Sequence, residues 1–148
     1  MPAAQPEVAL KRAYEKPSKA DGCRVLVDRL WPRGLKKQEA KIDAWLRDLA
    51  PSDELRKWFH AHRDYWGEFR RRYLRELRSP GAAGALDELY QYLSGYGRLT
   101  LLFASKDEEH NNAAVLKELI EGMKKPPTGT QPAAQRALRL RRSRRPFG

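Results

Sequence analysis

The spacing of apolar residues changes period several times along the chain. Compact apolar runs at residues 8–14, 24–28 and 99–104 predict strands, the last a nearly continuous run fit for the centre of a sheet. Residues 42–46 alternate enough for a further strand, although a short helix fits nearly as well. Elsewhere the apolar residues recur every three or four positions. The clearest case is 64–78, where Tyr65, Trp66, Phe69, Tyr73, Leu74 and Leu77 form one stripe. Arg70, Arg71, Arg72, Arg75 and Arg78 form the opposite one, so the first stripe is expected to pack and the second to face water. A shorter helix begins behind Pro51-Ser52-Asp53-Glu54, with Ser52 as N-cap and Leu55, Trp58 and Phe59 at helical spacing. Ser79-Pro80-Gly81 breaks the chain before a helix over about 82–93, which Gly95 and Gly97 end. A last helix carries Ala113, Leu116, Leu119, Ile120 and Met123.

Strands alternating with helices define an α/β protein: a single compact domain over residues 8–123, with a short, mostly parallel sheet flanked by helices. Residues 124–148 differ in kind. A Pro-containing linker leads into an Arg-rich segment without apolar periodicity, which predicts a disordered basic C-terminal tail.

Composition alters this picture only in places. The formal charge of +11 suggests nucleic acid, yet six arginines (Arg136, Arg139, Arg141, Arg142, Arg144 and Arg145) fall in the last thirteen residues, leaving about +5 for the rest. That tail suits phosphate contacts and equally suits a solvated end. No apolar run approaches the roughly 20 residues of a membrane span, and the first residues lack the apolar core of a signal peptide, so the expectation is a cytoplasmic protein with no membrane partner. A single cysteine, Cys23, excludes an intrachain disulfide.

Candidate chemistry lies where strands end. In open α/β sheets ligands sit outside the carboxyl ends of strands. The run 24–28 discharges into Asp28, Arg29, Trp31 and Arg33, and the run 99–104 into Ser105, Lys106, Asp107, His110 and Asn111. If the two strands are parallel, both exits share one edge. Arg29, Arg33 and Lys106 are then anion binders, Asp28, Asp107 and His110 proton-transfer candidates, Trp31 a flat surface, and Ser105 and Asn111 ligand contacts. Each has a structural counterpart: Arg29 pairing with Asp28 or Asp107, Trp31 capping the core, Ser105, Asp107 or Asn111 capping the following helix. No metal site is predicted, because His60 and His62 have only the distant His110 as a third imidazole and no cysteine pair. Cys23 stands at the entering end of its strand, away from the predicted site. No phosphate loop, dinucleotide fingerprint or nucleophile elbow is present, and the sequence names no cofactor.

Several motifs occur together and in order: Asp28-Arg29-Leu30-Trp31-Pro32-Arg33-Gly34, Leu49-Ala50-Pro51-Ser52, Trp58-Phe59-His60 with Trp66 and Phe69 following, and Ser105-Lys106-Asp107-x-x-His110-Asn111. Through them residues 8–123 resemble the YeaO-like branch of the family catalogued as domain of unknown function 488. The resemblance implies a compact α/β fold and carries no catalytic residue. The expected function is therefore a polar, anion-binding cleft, serving an enzyme or a binder of a nucleotide or nucleic-acid fragment. The alternatives are a non-catalytic nucleic-acid-binding accessory protein, using the basic helix and tail, and a scaffold for an acidic protein. The sequence sets neither the reaction nor the oligomeric state.

Overall fold

The computed structural model describes residues 6–123; the predicted linker and Arg-rich tail lie outside the described residues. The sheet has four strands, β1 (Glu7–Arg12), β2 (Cys23–Leu26), β3 (Ala44–Trp45) and β4 (Arg98–Phe103). They hydrogen-bond in the order β1-β4-β2-β3, and every neighbouring pair is parallel. Five helices complete the α/β domain: α1 (Lys37–Ala40), α2 (Asp53–Ala61), α3 (Trp66–Glu76), α4 (Pro80–Tyr96) and α5 (Asn112–Glu121), with single 3-10 turns at Lys19–Asp21 and Arg47–Leu49.

β4 is central, flanked by β1 and β2, and Leu99 to Phe103 are all buried, which accounts for its unbroken apolar run. Alternation divides its side chains. Leu99, Leu101 and Phe103 join Val25 and Val27 in the main core, where Leu55, Phe59, Phe69, Tyr73, Leu89 and Leu116 of α2–α5 meet them. Leu102 joins Leu26 and Ala13 in a smaller cluster, covered by Trp31, Leu35, Ile42 and Trp45. The main core thus recruits four helices, whereas loop residues and two indoles close the smaller one.

At the entering edge of the sheet an ion cluster replaces apolar packing. Arg24, 4% exposed, pairs with Asp21 at 2.6 Å and donates to the Ala40 carbonyl, while Lys11 reaches the same carboxylate at 3.1 Å. Burial alone would raise the Asp21 pKa, but the Ser18 N–H, Lys11 and Arg24 outweigh it and hold the carboxyl below its usual range. Gly22 joins this cluster to β2 at φ 65°, and a Cβ there would stand 2.4 Å from the Arg98 carbonyl oxygen. Cys23, at the entering end of β2, is buried.

Local sequence explains most helix ends. Ser52 caps α2 by accepting from the Leu55 N–H, and its own N–H and hydroxyl donate to Glu76 at the end of α3. The Tyr73 hydroxyl donates to the Leu49 carbonyl, fastening α3 to the segment before α2. Four expectations are corrected. Ser79-Pro80-Gly81 opens a helix rather than only breaking one, because Ser79 accepts from the Ala82 N–H and Pro80 occupies the first turn, where a missing N–H costs nothing. Gly95 remains helical, and α4 ends at Gly97, φ 74°. Tyr65 precedes α3 and is 59% exposed, so it does not belong to the packed stripe. β2 ends at Leu26, two residues early, although the Val27 N–H still bonds to the Leu102 carbonyl at 3.2 Å and Asp28 is the first residue released from the ladder.

This packing sets an expected contrast within α3. Phe69, 2% exposed, stacks on Phe59 with centroids 4.3 Å apart, and truncating it to alanine is expected to cost about 3–5 kcal/mol by cavity formation. Arg71→Ala removes only an exposed pair with Glu68 and is expected to be nearly neutral. Urea denaturation of both variants checks this, and a reversal of the two sensitivities contradicts the packing.

Candidate functional site

Because β1, β2 and β4 run parallel, their carboxyl ends discharge onto one edge. There the segments 28–33 and 104–112, about seventy positions apart in sequence, line a single cavity of about 890 Å³. Arg29, Arg33, Lys106, Asp107 and His110 all border it, together with Asp28, Trp31, Ser105 and Asn111. Every candidate site residue read from the sequence is therefore brought together.

Asp28 holds the two exits in place. Its Oδ2 accepts from the Ala104 N–H at 2.8 Å, and its Oδ1 accepts from the Asn112 side-chain amide at 3.1 Å; that amide also donates to the Val27 carbonyl. One carboxylate thus joins the end of β2, the end of β4 and the start of α5. Burial pushes its pKa above the ordinary aspartate value, against the Ala104 and Asn112 hydrogen bonds and the nearby Arg56 charge.

Two residues that the sequence reading passed over extend the joint. Arg12, at the end of β1, donates through Nε to the Ser105 carbonyl and through Nη2 to the Ala104 carbonyl, both at 2.9 Å. Tyr14 receives the Arg12 guanidinium over its ring at 5.1 Å and donates its hydroxyl to the Arg33 carbonyl at 2.9 Å. The rule about strand exits, applied to the first strand, points to both. The far wall comes from α2, α3 and the turn between them: Phe59 and Phe69 are buried, and Arg56 and His60 of α2 and Arg63 of the turn are exposed. These were legible only as helix-face residues, since nothing local says which loop a helix will face.

The candidates differ in how fully they are engaged. Asp107 accepts from the N–H groups of Glu109 and His110 and pairs with Arg63 at 3.0 Å. The His110 N–H, followed by the Glu109 N–H and Arg63, holds its pKa below the usual carboxyl range against a burial penalty. The His110 ring lies 4.9 Å from that of Trp66, with Nδ1 3.7 Å from Asp107. Asn111 is the N-cap of α5: Oδ1 accepts from the Ala114 N–H, and Nδ2 donates to the Asp107 carbonyl. Ser105 Oγ accepts from the Asp107 N–H. Trp31 donates to the Leu35 carbonyl at 2.7 Å and meets Trp45 edge-on, so it seals the smaller core while bordering the cavity. Arg29 does not pair with Asp28 or Asp107; it donates to the Pro51 carbonyl at 3.3 Å. The side chains of Arg33 and Lys106 make no hydrogen bond or ion pair among the described residues, and both are exposed. No cluster of three or more potential metal ligands occurs among the described residues, and none of their helices is long and apolar enough to cross a membrane.

The raised pKa of Asp28 has a defined sign. Below the unfolded-state pKa the carboxyl is neutral in both states; as pH climbs through the higher folded-state value, ionisation in the buried site costs stability. The stability of the native protein relative to Asp28→Asn is therefore expected to fall from pH 3 to pH 7. Denaturation of the two proteins across that range reads it, and a rising difference contradicts the burial argument.

Comparison with known proteins identifies a family for this chain. The sequence profile described as the inactive DUF488-N3 subclade matches residues 7–135, running past Met123 into the predicted linker. An uncharacterised protein of Mycobacterium tuberculosis is 38% identical over 115 residues, covering 78% of this chain and 94% of the relative. The uncharacterised protein YeaO of Escherichia coli is 37% identical over 116 residues, 78% and 98% of the two chains. No solved structure matches. The chain belongs to the DUF488 family, in the subclade described as the inactive DUF488-N3 subclade, with YeaO among its relatives.

Proposed function

We propose that the cavity binds an anionic, nucleotide-sized ligand and carries out no chemistry on it. The observation behind this reading is the contrast between its charges: the cations Arg33 and Lys106 are uncommitted among the described residues, whereas both carboxylates are occupied as structural acceptors. A carboxyl that transfers a proton must be open to a ligand. Asp28 instead fastens two strand exits, and Asp107 organises the turn before α5. Free guanidinium and ammonium groups above an apolar floor of Phe59, Phe69 and Pro51 suit an anion joined to a planar, weakly polar body. A volume of about 890 Å³ lies within the range for small-molecule sites. The description of the subclade as inactive supports the absence of a reaction.

The alternative built on the basic face of α3 has less support. Arg70 pairs with Glu118, and Arg71 and Arg72 both pair with Glu68, so part of that face is already offset. An acidic protein partner would meet the same ion pairs.

Calorimetric titration of the full chain with thymidine 5′-monophosphate tests the proposal. Binding is expected, with the nucleotide recovered unchanged. Arg33→Ala and Lys106→Ala should each weaken it by about 1.5–3 kcal/mol, while their thermal midpoints hold, since neither side chain has a partner to lose among the described residues. Turnover of the ligand, or affinity insensitive to both substitutions, overturns it.

A further inference from the structure

Resting on that reading of the cavity, we infer that its occupant is one nucleotide of a single-stranded polynucleotide, with the base directed to the apolar floor, the backbone across the cationic mouth, and a neighbouring base stacked on Tyr65. The first ground is how the cavity divides. Its buried lining is mostly apolar, with Phe59, Phe69 and Pro51 beside Asn111, whereas its cations without a side-chain partner among the described residues are exposed and come from separate parts of the chain, Arg33 after β2 and Lys106 after β4; Arg63, between α2 and α3, is paired with Asp107. A site for a free mononucleotide would gather donors around one terminal phosphate. Cations spread around a mouth instead suit charge that continues past it.

The second ground lies outside the cavity, at the corner between α2 and α3. Trp58 carries the His62 ring stacked at 4.8 Å and 15°, and the Arg72 guanidinium lies 4.3 Å from its centroid. The Tyr65 ring is tilted against both, with centroids 6.3 Å from Trp58 and 5.9 Å from His62. Tyr65 is 59% exposed, and its hydroxyl makes no hydrogen bond among the described residues. A large aromatic residue held at the surface by its neighbours suits a stacking platform. The same corner borders the cavity: Phe59, His60 and Arg63 line its wall, and the Arg63 guanidinium lies 4.7 Å from the Phe59 centroid. A duplex fits less well, because a base held in a stacked pair cannot turn into a cavity.

The experiment compares a fluorescein-labelled strand of about eight deoxythymidines with thymidine 5′-monophosphate on the full chain, by anisotropy and calorimetry at one fixed salt concentration. Any contribution of the basic tail is then common to every variant. Tyr65→Ala and Tyr65→Leu are expected to weaken the strand at least about fivefold while leaving the mononucleotide unchanged, and Tyr65→Phe, which keeps the ring, is expected to retain strand binding. Leucine preserves apolar bulk without an aromatic face, so a loss shared by alanine and leucine but not by phenylalanine reports stacking rather than folding. If the strand binds no better than the mononucleotide, or Tyr65→Leu behaves like the native chain, the polynucleotide inference is overturned and the cavity reading survives. If neither probe binds, the cavity reading itself fails.

Discussion

The carboxylate of Asp28 is the interaction on which the edge of the sheet depends. Parallel strands have no hairpins to fix how their ends lie, so each exit must be tethered by side chains. Asp28 tethers two of them by accepting from the Ala104 N–H and the Asn112 amide, and Arg12 tethers the third by donating to the Ala104 and Ser105 carbonyls. Half-buried and bonded through both oxygens, the carboxylate costs desolvation and returns position. Whatever the cavity holds, its shape follows from this joint.

Much of the fold was legible because the local patterns agreed with one another. The run at 99–104 is strand-length and almost wholly apolar, and β4 is the central strand, buried on both faces. Ser52, followed by acids and then apolar residues at helical spacing, is an N-cap in the structure. The errors fall where one residue supports two readings. Pro80 was read as a break although proline in a first helical turn is also a start, and Tyr65 keeps the helical spacing of Phe69 and Tyr73 yet precedes α3. Periodicity assigns a residue to a face, but it cannot say that the helix begins one residue later.

The cavity was legible by half. The exits of β2 and β4 were visible as apolar runs ending in charge, and parallel pairing alone brings them together. The wall from α2 and α3 was not, because its placement depends on tertiary ties such as Ser52 to Glu76 and Tyr73 to Leu49, which leave no local signal. Knowing the partners also changes what the motif residues are taken to do. Asp28 reads in sequence as a candidate for chemistry, and Asp107 and Asn111 as either site groups or caps; in the structure Asp28 and Asp107 are structural acceptors, Asn111 caps α5, and the side chains of Arg33 and Lys106 have no partner among the described residues.

The central claim is that two segments distant in sequence act as one binding surface. Amide chemical-shift mapping of the full chain during titration with thymidine 5′-monophosphate addresses this most directly, because it reads every backbone site at once. The account predicts that the shifting amides cluster in residues 28–35 and 104–112 and move together with one saturation curve. Shifts confined to one of the two segments, or centred on the arginine face of α3, would contradict it.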